Sequence, residues 1–154
     1  MINEDMNFMK QALELAKKGD GRAAPNPMVG ALLVRNGQII GEGFHVFEGI
    51  KHAEVIALEM AGDLAKGATL YCSLEPCCHH GRTPPCTDAL IEAGIARAVI
   101  AIVDPDSRVS GSGIQQLKDA GIEVIVGVCE SEAHDLNIEY FSATEKTQSV
   151  VSVD

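Results

Sequence analysis

ATLYCSLEPCCHHGRTPPCTDALIEAG, residues 68–94, runs from an apolar segment through a loop rich in cysteine and histidine into a segment of helical character. Its first seven residues, ATLYCSL, are an apolar run of strand length and read as a buried strand. Pro84 and Pro85 suit the first turn of a helix, which runs to about Ala93 and is closed by Gly94. The loop between strand and helix carries Cys77, Cys78, His79, His80 and Arg82, and Cys86 enters the helix. In α/β sheets ligands sit beyond the carboxyl ends of strands, so this loop is where a site is expected.

Near the start of the chain Met6, Met9, Leu13 and Ala16 fall near helical spacing, with Asn3 placed to cap a surface helix and Gly19 to end it. ALLVRNGQII reads as a hairpin around Asn36-Gly37, with strands at 31–35 and 38–43. A helix is expected from His52 to about Ala61. Downstream come a strand at 98–103, a helix at 114–121, a strand at 123–128 and a helix at 131–141. The connection 103–122 contains a helix, so the last two strands should be parallel. The expected architecture is α/β: a three-layer α/β/α domain with a mixed five-stranded sheet and helices on both faces. The strand-end rule then points to residues 72–80 and 104–106.

With 154 residues the chain fits one domain with a real core, and 46% hydrophobic against 22% charged residues excludes disorder as its main theme. A formal charge of −10 with scattered Lys and Arg argues against nucleic acid as a partner. No apolar run approaches a membrane span, and MINEDMNFMK lacks the features of a signal peptide, so the reading is cytoplasmic. Five cysteines, three of them crowded together, suggest a metal site in a reducing compartment rather than a disulfide framework.

His52-Ala53-Glu54 opens one helix, Pro76-Cys77 follows a strand, and Cys86 enters a second helix. Helix N-termini favour thiolates, and one imidazole with two thiolates balances the charge of Zn²⁺. A fourth position then stays open for water, whose pKa the metal lowers. Glu54 would not coordinate but would move protons from that water to a leaving amine. A structural zinc site would need a fourth protein ligand from Cys78, His79 or His80; Cys78 adjoins Cys77, and sequence neighbours rarely both reach one tetrahedral centre. Catalytic zinc is therefore preferred. Cys72 and Cys129 read as core residues of apolar strands. Eight residues separate Cys77 from Cys86, a long loop tethered at both ends that presents His79, His80 and Arg82 beside the metal. A guanidinium there points to an anionic ligand, most naturally a phosphate.

APNPMVGALLV, GEGFH, HAEVIAL, ATLYCSLEPCCHHGRTPPCTDALIEAGI and DPDSRVSGSGI together closely resemble the deaminase half of the bifunctional riboflavin-biosynthesis deaminase/reductases, over about residues 4–141. The resemblance implies a cytidine-deaminase-like fold. It implies zinc on His52, Cys77 and Cys86, with Glu54 as proton shuttle. The implied reaction is hydrolytic removal of the 2-amino group of 2,5-diamino-6-ribosylamino-4(3H)-pyrimidinone 5′-phosphate, giving 5-amino-6-ribosylaminouracil 5′-phosphate and ammonia. Substrate contacts are implied at Asn26, His45, His79, Arg82 and Asp104, while His80 is expected to face solvent. The alternative is deamination of another free base, nucleoside or nucleotide, for which the Arg-bearing loop has no purpose. The resemblance also leaves room for a homo-oligomer and for a separate reductase as partners.

Two features depart from the family. Asp106 stands where the family usually has asparagine, an extra carboxylate near a sugar phosphate that Arg108 would have to offset. Family members commonly continue into a reductase domain, whereas here residues 1–141 are expected to form the deaminase domain and 142–154 a polar tail with no reductase after it. Gly111-Ser112-Gly113 is a lone G-x-G and reads as a helix-entry turn rather than a nucleotide cradle.

Overall fold

The computed structural model describes residues 2–23, 26–46, 51–81 and 83–144. In chain order the elements are α1 (Ile2–Lys17), β1 (Gly30–Arg35), β2 (Gln38–Phe44), α2 (Ala53–Ala61), β3 (Thr69–Cys72), α3 (Cys86–Ala93), β4 (Arg97–Ile100), α4 (Ser112–Asp119), β5 (Glu123–Val126) and α5 (Glu130–Leu136), with a 3-10 turn at Gly62–Ala65. A further helical stretch spans 138–144.

The sheet is five-stranded and mixed, in the order β2-β1-β3-β4-β5. β1 pairs antiparallel with both β2 and β3, while β3–β4 and β4–β5 are parallel. The β1–β2 hairpin turns on Asn36 (φ 54°) and Gly37 (φ 77°), the two left-handed positions that a two-residue hairpin loop requires. Side-chain alternation along the strands divides the core in two. Leu33, Leu70, Cys72, Ala98 and Ile100 face α2, α3 and α4 through Ala57, Leu90 and Leu117. Leu32, Tyr71 and Val99 face α1 and the C-terminal helices through Met9, Leu13, Ala133 and Phe141. α2 lies so close to β2 that a Cβ on Gly43 would stand 2.5 Å from the Ala53 carbonyl oxygen, and one on Gly41 would strike the Ala57 carbonyl. This tight seating brings the first turn of α2 to the carboxyl ends of the central strands.

Several local expectations shift for identifiable reasons. α1 begins at Ile2, so Asn3 lies within its first turn rather than capping it, and Met6 is 38% exposed on the face turned from the core. α3 begins after the two prolines, because the Cys86 amide donates to Cys77 Sγ at 3.3 Å and the Thr87 amide to the Cys77 carbonyl at 3.1 Å. Cys129 is not in a strand: β5 ends at Val126, and Cys129 caps α5 half-buried at φ 61°. The expected helix 131–141 is interrupted at Asn137, whose side chain is committed elsewhere. Residues 145–154 of the expected tail lie outside the described residues.

Candidate metal centre and pocket

Three elements converge at the carboxyl end of β3. His52 is the N-cap of α2, Cys77 follows β3 by five residues, and Cys86 is the first residue of α3. Their donor atoms all lie within 4.8 Å of one another. His52 Nδ1 is 3.2 Å from Cys86 Sγ and 3.6 Å from Cys77 Sγ. Zinc bonds of roughly 2.05 Å to nitrogen and roughly 2.3 Å to sulfur, at tetrahedral angles, separate such ligands by about 3.5 Å, so the donor set fits zinc. The charges fit as well. Hydrogen bonding from Cys86, then from His52, lowers the Cys77 thiol to about 4, whereas sharing that bond, together with burial, pushes Cys86 up. Two sulfurs thus compete for one negative charge, a conflict that a dication removes. Cys78 takes no part, its sulfur lying 3.6 Å from the Arg108 carbonyl.

Glu54 is buried in the first turn of α2, 4% exposed, and lines the same pocket as His52 and Cys77. Burial, reinforced by the negative charge on Cys77, raises its carboxyl to about 7. It is a carboxyl poised to exchange protons near neutrality.

The pocket has a cavity volume of about 520 Å³, the size of a small-molecule site. Asn26, His45, His79 and Asp104 all line it. The Lys51 carbonyl can only accept, so the His45 proton sits on Nδ1, 3.1 Å away, and His45 Nε2 accepts from the Asn26 amide at 2.9 Å. His79 Nδ1 is buried and has no hydrogen-bond partner among the described residues. His80 is exposed, and Arg82 lies outside the described residues. Asp106 is bound by its neighbour: Arg108 Nη2 donates to Asp106 Oδ2 at 2.6 Å, and that guanidinium holds the Asp106 carboxyl below the usual range. The extra carboxylate is therefore offset within the chain.

Three further residues, at the pocket or bonded beside it, were not singled out by the sequence. Glu75, 3% exposed, accepts from the amides of Asp104 (3.1 Å), Gly111 (2.9 Å) and Ile114 (3.1 Å). It occupies the start of α4 that the Gly111-Ser112-Gly113 turn forms, so that turn has its anion built in. Asn137 brackets Met28, accepting from its amide at 2.7 Å and donating to its carbonyl at 2.8 Å. Tyr140 lines the pocket and donates to Asp104 at 2.7 Å. A buried acidic residue directly before Pro-Cys was a usable signal for Glu75. No local signal marks the other two, whose partners are 109 and 36 residues away.

The family model for the cytidine and deoxycytidylate deaminase zinc-binding region matches residues 2–102, which include His52, Glu54, Cys77 and Cys86. The chain belongs to this family. Its cofactor is zinc, and the cluster of His52, Cys77 and Cys86 lies within the zinc-binding region. Among curated proteins, the riboflavin biosynthesis protein RibD of Aquifex aeolicus is 58% identical over 143 residues, covering 92% of this chain and 40% of the relative. Among solved structures, RibD of Acinetobacter baumannii superposes with a TM-score of 0.91 at 50% identity, covering 93% of this chain and 40% of that one. A diaminohydroxyphosphoribosylaminopyrimidine deaminase/5-amino-6-(5-phosphoribosylamino)uracil reductase from Thermotoga maritima gives 0.89 at 49%, covering 95% and 42%. The fold is thus cytidine-deaminase-like. The chain spans about two fifths of the length of these relatives. Among the described residues no helix is long and apolar enough to cross a membrane.

Proposed function

We propose that this deaminase-family chain removes the 2-amino group of 2,5-diamino-6-ribosylamino-4(3H)-pyrimidinone 5′-phosphate by hydrolysis, a step of riboflavin biosynthesis. The observation that carries the reading is the placement of Glu54 on one pocket with the His52, Cys77 and Cys86 cluster and the Asn26–His45 pair. The names of the relatives, at half or more identity, supply the substrate. When held by His52, Cys77 and Cys86, zinc supplies an electrophile that brings the pKa of a coordinated water towards neutrality.

The remaining work falls to side chains. A Glu54 carboxylate oxygen takes a proton from water as the water oxygen bonds to the carbon bearing the amine, and delivers it to the leaving amine nitrogen. The carbon–nitrogen bond breaks with its electron pair on ammonia, and water's second proton ends on the adjacent ring nitrogen as the carbonyl forms. Asn26, fixed by His45, presents its side-chain amide to the pyrimidine, and His79 Nδ1 gains from the ligand the partner it lacks among the described residues. Asp104 binds a donor group of the ribosylamine portion. Arg82 is assigned to the phosphate: Arg108 also lines the pocket but is engaged by Asp106, so with Glu54 and Asp104 there a phosphate needs a further cation near it. A cytosolic setting suits five free cysteines. The product would pass to a reductase, an activity named together with the deaminase in the Thermotoga maritima relative.

The test is ammonia release by the zinc-loaded chain on this ribotide and on its dephosphorylated form. Release that falls about tenfold or more in kcat/KM without the phosphate supports the reading. Equal rates would favour deamination of a free base or nucleoside, and no release from folded zinc protein would end the proposal.

A further inference from the structure

Tyr140 belongs to the helical stretch 138–144, beyond the residues that the family model matches, yet it reaches the pocket. Its hydroxyl donates to Asp104 Oδ1 at 2.7 Å, and the Asp106 amide donates to the same oxygen at 3.0 Å. No bond to Asp104 Oδ2 is found among the described residues. The Asp104 backbone is held from behind by Glu75, whose Oε1 accepts its amide at 3.1 Å. One carboxylate oxygen is therefore saturated, the main chain is fixed, and the other oxygen remains for a ligand. The Tyr140 end is equally fixed. Asn137 ties the helical stretch to both polar groups of the Met28 backbone, two residues from Asn26, and the Tyr140 ring packs edge-on against Phe141 with centroids 5.8 Å apart.

We propose that Tyr140 is a positioning residue for substrate specificity, holding Asp104 so that Oδ2 accepts a hydrogen bond from a hydroxyl or N–H of the substrate. The inference rests on the deaminase reading and deepens it. A carboxylate whose two oxygens can exchange places accepts equally from ligands of different shape. One pinned through Oδ1 offers a single acceptor at a single place, and rejects a ligand that has no donor there.

The experiment is Tyr140→Phe in the full zinc-loaded chain, which removes the hydroxyl and keeps the ring. KM for the ribotide should rise about tenfold, as expected for losing the order imposed by a hydrogen bond to a charged group, with kcat within about twofold of the parent. The melting temperature should stay within about 2 °C. Asp104→Asn should raise KM by itself, and the double variant should be little worse than Asp104→Asn alone, because the hydroxyl acts through the carboxylate. A second readout needs no turnover. In carboxyl-carbon NMR the Asp104 titration should move up in Tyr140→Phe, since a donor to the ionised form is gone, while Asp106 and Glu75, which act on the same carboxyl, are unchanged. An unchanged KM, or a joint fall of kcat and melting temperature, overturns the proposal. Should the parent release no ammonia at all, the deaminase reading fails, and the Tyr140 inference is then decided by the titration, which overturns it by staying in place.

Discussion

His52 Nδ1 stands 3.2 Å from Cys86 Sγ, where the first turn of α2 meets the first turn of α3. Without a cation, two sulfurs and an imidazole crowd this point, and the Cys77 and Cys86 thiols shift in opposite directions to share one charge. Zinc removal should therefore cost stability as well as activity. At a free zinc concentration a thousandfold above its dissociation constant, binding contributes about 4 kcal/mol, or roughly 10 °C for a chain of this size. Chelation should lower the melting temperature by about that amount and abolish ammonia release, and added zinc should restore both. A chelated protein that keeps its activity and its melting temperature would show that the cluster holds no functional metal.

Glu54 carries the sharper chemical prediction. Glu54→Gln keeps the shape of a buried side chain but cannot cycle a proton, and general acid–base catalysis is worth about 10²- to 10⁴-fold. One zinc per chain should remain, with turnover reduced at least a hundredfold. Turnover within tenfold of the parent would remove Glu54 from the mechanism.

Asp5 and Arg97 anchor α1 to the sheet far from the pocket. The guanidinium donates to both Asp5 oxygens at 2.9 and 2.6 Å, and Tyr71 adds a bond at 2.7 Å. These bonds, that from Arg97 foremost, hold the Asp5 carboxyl below its ordinary value. A carboxyl depressed by folding stabilises the protein above its unfolded pKa of about 4, and that contribution is lost as pH falls through the folded value. Asp5→Asn should thus be less stable than the parent at pH 7, with the gap closing below about pH 4. Asp5→Ala should cost about 2–3 kcal/mol, less than a fully buried pair, because the Arg97 side chain is 23% exposed and also reaches Glu123 at 3.7 Å. Urea unfolding at a series of pH values measures both. A gap that is constant from pH 7 to pH 3 would mean that the carboxylate is energetically idle.

Sequence order carried the parts of this molecule that depend on neighbours. Asn36-Gly37 announces its hairpin because the turn geometry is set by those two residues alone. His52, Cys77 and Cys86 announce the metal centre because each sits at the end of an element whose type is locally readable. What escaped was decided across the fold. Asn137 interrupts its helix while bracketing Met28, Cys129 leaves the strand at a left-handed turn, and Glu75 spends its carboxylate on three amides from 29 to 39 residues away. Nothing local distinguishes such residues from solvated ones, and the pocket wall formed by Tyr140 inherits that silence.

Gly113 links the core to the metal loop. A Cβ at this position in α4 would strike the Pro76 carbonyl oxygen and stand 3.2 Å from Glu75 Oε2. Pro76 directly precedes Cys77, and a backbone oxygen cannot rotate aside as a side chain can. Gly113→Ala must therefore push the loop that carries a zinc ligand, with an overpacking cost of about 1–3 kcal/mol. Gly121, just beyond α4, is the control: at φ 88° with nothing within 4 Å, its alanine variant suffers backbone strain alone, of similar size. Both variants should melt lower than the parent. Only Gly113→Ala should also bind zinc more weakly, by about tenfold in competition with a chromogenic chelator. Parent-like zinc affinity in Gly113→Ala would mean that the Cys77 loop is not held in place by α4.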